Sequence, residues 1–247
     1  MSSSSPQPTI LLAQYGGAEA GKTLSPACGK VQMALRFKGL EFELRNCITP
    51  GEVKRYNPRG RMPALVVDDE PLVDSSDILD ELDRRWPEPP LLPDEVRERA
   101  RCRLVEDWAD EVLYFYGVWT RWEDEAGFRA MKAAVFDSLP IPMRWLAPRF
   151  ARRELRARAR LQGTALKPAA VVRRELRAGL EMLEDLLGQD DWFCGGRLTR
   201  ADLALASLID QFGVPWTAPA NRIDFEGLPR LGAWLERVHE RVPNAAG

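Results

Sequence analysis

At 247 residues the chain has room for one large or two modest domains, and its 45% hydrophobic and 29% charged composition is that of a water-soluble globular protein. A net charge of −2 gives no case for nucleic-acid binding by the whole surface, and four scattered cysteines with a single histidine, His239, argue against a zinc site. No apolar run is long enough to span a membrane, and the Ser/Pro-rich start at 1–8 lacks the features of a signal peptide, so a disordered tail and a reduced, cytoplasmic setting are expected.

Residues 9–15 (T-I-L-L-A-Q-Y) read as a buried first strand. A glycine-rich loop follows, then a helix from about 26 to 38 with Val31, Ala34 and Leu35 facing the core and Gly39 as its stop. Residues 41–47 alternate, Phe42 and Leu44 on one face and Glu43 and Arg45 on the other, which predicts a second strand. Pro50-Gly51 leads into a short helical turn near 52–56.

The stretch 57–78, N-P-R-G-R-M-P-A-L-V-V-D-D-E-P-L-V-D-S-S-D-I, is the most informative. It reads as a turn, a strand at 64–67, an acidic turn over Asp68-Asp69-Glu70, a short strand at 72–73 and a helix opening with Ser75-Ser76-Asp77. Pro63 cannot donate a ladder hydrogen bond and belongs at a strand start. A cis peptide there would turn the Met62 N–H and C=O outward, ready to pair with an extended ligand. Asp74-Ser75 stands where a strand ends and a helix opens. Free N–H groups and a hydroxyl can hold a carboxylate there, while the Asp carboxylate can hold an ammonium. A ligand with a peptide backbone, an α-amino group and an α-carboxylate fits all three features. With a helix over 75–85 the order is β-α-β-α-β-β-α, a compact α/β sandwich.

The four prolines of W-P-E-P-P-L-L-P (86–93) forbid a helix and mark a linker. Beyond it every segment has helical period, which predicts an all-α domain. Leu104, Trp108 and Val112 recur at spacing four, with Val105, Ala109 and Leu113 beside them; Leu176, Leu180, Leu183 and Leu187 repeat the pattern. Thr199-Arg200-Ala201-Asp202 reads as an N-cap with an acidic residue three on, and Leu231, Trp234, Leu235 and Val238 mark a last amphipathic helix. Residues 137–168 are broken up by Pro140, Pro142, Pro148 and Pro168 around the basic run R-F-A-R-R-E-L-R-A-R-A-R. Two readings stand for it: a patch for an anionic partner or membrane surface, or a solvated helix face, since Leu146, Phe150 and Leu155 offer little apolar area.

Residues 16–23, G-G-A-E-A-G-K-T, match the phosphate-loop pattern G-x-x-x-x-G-K-[ST] after a strand, and 64–68 mimics an apolar strand with a magnesium-holding Asp. Against nucleotide binding, Ser25-Pro26 is a more natural helix start than Lys22-Thr23. The strands also end near residue 73, short of the larger parallel sheet such a core needs.

The order of parts resembles the cytosolic glutathione S-transferase superfamily over about 9–242. S-P-A-C-G-K-V (25–31) with the following K-G-L-E-F-E is similar to the family's active-site loop and first helix. N-P-R-G-R-M-P-A-L resembles its cis-proline segment, V-D-S-S-D-I-L its strand end that grips the γ-glutamyl group, and F-C-G-G-R-L-T-R-A-D its capping-box motif. The resemblance implies a thioredoxin-like α/β domain at 9–86, a linker at 87–98 and an all-α domain at 99–247 bearing the Arg-rich insertion 137–168. It also implies a glutathione S-transferase, with glutathione as co-substrate, an apolar electrophile as partner and a homodimer formed through the first domain.

Carried over by position, Met62 would pair its backbone with the cysteinyl part of glutathione, with Pro63 cis. Asp74 and Ser75 would bind the γ-glutamyl ammonium and carboxylate, and Arg61 the glycyl carboxylate. Ser25 would donate a hydrogen bond to the glutathione thiolate. Ser25 and Ser75 also read as plain helix caps, and Arg61 as a surface charge. Cys28 is either a lowered-pKa thiol in a first helical turn or a quiet buried cysteine; with Ser at position 25 the two-cysteine exchange route is absent. Tyr15 resembles the tyrosine donor of other classes, although the loop 16–24 is long. Trp108, Glu111, Tyr114, Phe115, Trp119 and Trp122 are candidates for the electrophile's wall. The insertion also resembles a segment of metaxin-like proteins, which keeps a non-catalytic interaction protein on the same fold as the alternative.

Overall fold

The computed structural model describes residues 8–16, 21–137, 139–213 and 216–242. The tail expected at 1–8 falls outside the described residues up to position 7, as do positions 17–20 of the glycine-rich loop. The chain divides into two compact units, with the change between Leu91 and Leu92.

The first unit runs β1 (Ile10–Tyr15), α1 (Pro26–Phe37), β2 (Glu43–Cys47), α2 (Pro50–Tyr56), β3 (Ala64–Val67), β4 (Glu70–Val73) and α3 (Ser75–Arg85). Its sheet has the order β2-β1-β3-β4, with β1 parallel to β2 and the other pairs antiparallel. β4 starts earlier than the sequence reading placed it. Asp68 and Asp69 alone make the turn, both at positive φ (49° and 70°) as a two-residue hairpin needs, so Glu70 is free to pair with Val67. Leu12, Ala13, Val31, Ala34, Leu35, Leu65, Ile78, Leu79 and Leu82 are completely buried and form the core between sheet and helices.

The sheet register positions the site. Ala13 lies opposite Ala64, and Ala64 opposite Val73. The end of β1, the start of β3 and the end of β4 therefore share one end of the sheet, and the parallel β2 finishes there too, Cys47 beside Tyr15. The Pro-rich stretch after α3 is tied to this unit. The buried Lys38 ammonium donates to the carbonyls of Trp86 (2.6 Å) and Pro89 (2.9 Å) and pairs with Asp83 (2.8 Å), whose carboxylate accepts the Leu91 N–H (2.9 Å).

Among its described residues, every regular element of the second unit is a helix. α4 (Val96–Trp108) continues through a π-helical turn at Ala109–Leu113 into α5 (Tyr114–Val118) and a second such turn at Trp119–Glu123. α6 (Glu125–Met131), α7 (Met143–Gln162), α8 (Ala169–Leu187), α9 (Arg200–Gly213) and α10 (Pro229–Arg241) follow. Two expectations are corrected. The buried face of α4 runs through Cys102, Val105 and Ala109, which turns Leu104 outward at 70% exposure. Pro148 does not break the basic segment. It lies buried inside the 20-residue α7, where a proline forfeits one main-chain hydrogen bond without ending a helix that long.

The motif before α9 is a buried capping box. The Asp202 carboxylate accepts from Thr199 N–H (2.8 Å), Thr199 hydroxyl (2.8 Å), Phe193 N–H (3.1 Å) and Trp234 Nε1–H (2.8 Å). The neighbouring Arg200, also buried, is clamped by Glu106. One short motif thus fixes a helix start to α4 and α10.

Candidate active site in the first unit

Ser25 is the N-cap of α1. Its extended backbone (φ −108°, ψ 120°) and the proline that follows pre-set the helix start, and its Oγ accepts the Cys28 N–H at 3.4 Å. Thr23 holds this arrangement: its hydroxyl donates to the Tyr15 carbonyl (2.6 Å) and accepts the Ser25 N–H (3.1 Å). In the sequence alone, Thr23 stands out only as part of a phosphate-loop pattern. Here Thr23 pairs with Gly16 in an antiparallel bridge, and neither it nor Lys22 lies in α1, so the lysine and threonine do not open the helix as a phosphate loop requires.

The other two candidate donors sit differently. The Tyr15 side chain is half-buried and its hydroxyl donates to the Gly60 carbonyl (3.3 Å), joining the end of β1 to the turn before β3. Cys28 is completely buried among Ala13, Cys47, Val53, Met62 and Ala64. Burial pushes its thiol up to about 11, against the smaller opposing influence of hydrogen bonds from Ser25, Tyr15 and Thr23. That is the direction opposite to the lowered-pKa thiol, and the quiet buried cysteine is the reading the geometry favours.

Met62 and Pro63 are buried at the start of β3, and the peptide between them is cis. Asn57, which sequence reading passed over as turn composition, shapes the approach. Its Nδ2 donates to the Arg61 carbonyl (2.8 Å), its Oδ1 accepts the Arg59 N–H (2.9 Å), and its own carbonyl accepts from Gly60 (2.8 Å). Gly60 takes φ 70°, which closes this turn. Among the described residues the Met62 main chain makes no hydrogen bond, and the exposed Arg61 guanidinium makes no ion pair.

Asp74, not Ser75, is the N-cap of α3, which corrects the helix-cap reading of Ser75. Asp74 holds φ 79°, ψ 127°, a conformation that costs a non-glycine residue on the order of 1–3 kcal/mol. Its Oδ1 accepts the Ser76 N–H at 3.0 Å, and Oδ2 has no partner among the described residues. Ser75 is the first residue of α3 and is buried, so its N–H and hydroxyl lie at the positive end of the helix. Beneath it the buried Lys30 of α1 donates to Ser76 Oγ at 3.3 Å.

Of the residues expected to line an electrophile's wall, Trp119 and Trp122 are buried in the second unit. Trp119 lies under the Arg173 guanidinium (5.5 Å), and Trp122 packs on Phe128 and Phe136. Trp108, Tyr114 and Phe115 are half-buried and Glu111 is exposed. Tyr114 and Phe115 meet edge to face at 5.1 Å. The described residues hold no cluster of three or more His, Cys, Asp or Glu suited to a metal ion, and no described helix is long and apolar enough to cross a membrane.

Comparison with known proteins agrees with this geometry. A model of the glutathione S-transferase N-terminal domain matches residues 20–90, and one of the glutathione S-transferase C-terminal domain matches 144–237. FtsZ-localized protein A from Caulobacter vibrioides is 31% identical over 204 residues, 78% of this chain and 77% of that protein. Glutathione S-transferase Z2 from Arabidopsis thaliana is 39% identical over 82 residues, 31% of this chain and 37% of that one. The crystal structure of a glutathione S-transferase from Methylobacterium radiotolerans, in complex with glutathione sulfonate, has a TM-score of 0.64 at 25% identity and covers 97% of both chains. With both halves matched in order and the thioredoxin-like and helical units in place, the chain belongs to the glutathione S-transferase family.

Proposed function

We propose that the protein is a glutathione transferase that binds glutathione on its first unit and uses Ser25 to activate the thiol for attack on an apolar electrophile. The observation that carries this is the register of the sheet. It brings the ends of β1 and β4 and the start of β3 to one sheet end, where Thr23 ties Ser25 to Tyr15, Met62 precedes β3 and Asp74 opens α3. In this reading the tripeptide lies extended along Met62 and exchanges main-chain hydrogen bonds with it. Its γ-glutamyl carboxylate rests on the N–H and hydroxyl of Ser75, and its ammonium on Asp74 Oδ2. Arg61 meets the glycyl carboxylate.

Ser25 Oγ accepts the Cys28 N–H, which leaves its own hydrogen to donate to the substrate sulfur. Together with the positive end of α1 this favours the thiolate, and each pKa unit of lowering corresponds to about 1.4 kcal/mol. The sulfur lone pair then forms a bond to the electrophilic carbon as the leaving group departs with its bonding electrons. Tyr15 and Cys28 serve here through the Gly60 turn and the Cys28 N–H rather than as thiol donors. The reading carries with it a domain division at 9–86, 87–98 and 99–247, a homodimer and a cytoplasmic setting.

Calorimetry with glutathione tests it. Saturable binding that weakens in Ser75→Ala supports the site, and Ser25→Ala should keep binding while losing turnover of an activated aryl halide. No binding at millimolar glutathione would overturn it. A second reading, a non-catalytic interaction protein on the same fold, is favoured by one observation. FtsZ-localized protein A, a relative matched over 77% of its length, is named for its localisation to FtsZ rather than for a reaction.

A further inference from the structure

α7 leaves its outer face open to solvent, and that face is unusual in composition. Ile141, just before the helix, is 71% exposed, Trp145 53%, Leu146 45% and Phe150 67%. Exposed apolar side chains are ordinary singly, but these four and Met143 within ten residues, two of them aromatic, form a patch. The helix carries seven arginines against one glutamate, in a chain whose net charge is −2.

Those arginines fall into two groups. Arg152, Arg156, Arg158 and Arg160 are paired, with Glu125, Glu123, Glu154 and again Glu123. Arg144, Arg149 and Arg153 have no acidic partner among the described residues, and they are interleaved with the exposed apolar side chains. At 3.6 residues per turn, Leu146, Arg149, Phe150 and Arg153 are direct neighbours, and the patch from Ile141 to Arg153 is about 18 Å long.

We infer that this face of α7 docks on an anionic phospholipid surface. Three arginines freed of local acids supply the attraction to lipid phosphates, and Trp145 and Phe150 supply rings that enter the boundary between headgroups and acyl chains. A second copy of the same face would set arginine against arginine. An acidic protein would need a pocket for each projecting ring, whereas a lipid surface takes projecting rings without one. The short apolar stripe limits the contact to peripheral, salt-sensitive binding.

Vesicle flotation of the full-length protein tests the inference. Binding is expected to vesicles of equal parts phosphatidylcholine and phosphatidylglycerol at low salt, little to phosphatidylcholine alone, and release as salt is raised. One arginine near an anionic surface is worth roughly fivefold in partitioning, so Arg149→Gln with Arg153→Gln should weaken binding about 30-fold. Trp145→Ser with Phe150→Ser should weaken it with all charges retained. All four positions are exposed, so both pairs should keep the wild-type circular dichroism and melting temperature. The inference fails if anionic vesicles do not bind, if neutral vesicles bind equally, or if either pair of substitutions binds as wild type. It also fails if polyglutamate binds in place of vesicles, which would mark an acidic protein surface. A lower molar mass in solution for Trp145→Ser with Phe150→Ser, without vesicle binding by the parent, would mark self-association instead.

Discussion

Asp74→Gly separates function from stability more sharply than any other single change in the candidate site. Asp74 caps α3 through one hydrogen bond to Ser76 N–H (3.0 Å) while held at φ 79°. Replacing an Asp cap by Gly costs a few tenths of a kcal/mol, and the extra freedom of glycine in the unfolded chain costs about 0.5–1 kcal/mol. Relief of the backbone strain returns roughly 1–3 kcal/mol, so the variant should be about 1 kcal/mol more stable than the parent. Glutathione binding should move the other way. Losing a charge-assisted hydrogen bond to the ammonium is worth roughly 1.5–3 kcal/mol, or about 10- to 150-fold in Kd. Urea denaturation followed by far-UV circular dichroism reads the first quantity and calorimetry the second. Asp74→Asn, which keeps the cap and tolerates positive φ but loses the charge, should bind as weakly as Asp74→Gly without its gain in stability. A glycine variant less stable than the parent would refute the strain argument, and one that binds glutathione normally would remove Asp74 from the site.

Three further outcomes follow from the same physics. Asp202→Ala leaves four donors around a buried carboxylate position without an acceptor and should destabilise the second unit by about 4 kcal/mol in urea; a loss under about 1 kcal/mol would contradict the buried capping box. All four cysteines are buried and burial raises Cys28 to about 11, so a thiol reagent at pH 8 should label the native protein slowly and all four sites only in denaturant. His239 sits 3.0 Å from Asp210, and that hydrogen bond, more than the opposing burial, raises its pKa above 6.5. Its contribution is complete below pH 6.5 and is lost as pH rises through the raised native value. Asp210→Asn should therefore flatten stability over that window, by less than about 1 kcal/mol because the ring is 40% exposed.

Much of the fold was legible because its signals are local. Pro63 can stand only at a strand start, Ser25-Pro26 pre-sets a helix, and Thr199-x-x-Asp202 is a capping box wherever it falls. What was misread depended on tertiary packing. Leu104 and Val105 adjoin in the α4 sequence, and only the packing of the second unit decides that Val105 is buried and Leu104 exposed. Pro148 carries a strong helix-breaking signal, yet α7 extends far enough on either side to absorb one missing hydrogen bond. The β4 start was set by two aspartates at positive φ, a conformation Asp tolerates but does not announce.

The candidate site divides along the same line. The backbone places of positions 25, 63 and 74 were readable because each opens a helix or a strand, where a residue's type and its backbone duty coincide. The duties of Thr23 and Asn57 were hidden, since both hold main-chain groups that are distant or unremarkable in sequence. Thr23 reaches back to the Tyr15 carbonyl and Asn57 forward to the Arg61 carbonyl. They matter because a site made from unpaired main chain is only as well placed as the turns presenting it. Cys28 shows the converse. A first-turn cysteine beside a helix N-terminus carries the sequence signature of a reactive thiol, but complete burial outweighs the hydrogen bonds from Ser25, Tyr15 and Thr23 that act the other way. In the proposed reading the donor is Ser25, half-exposed one residue before the helix, where its Oγ accepts the Cys28 N–H and caps α1.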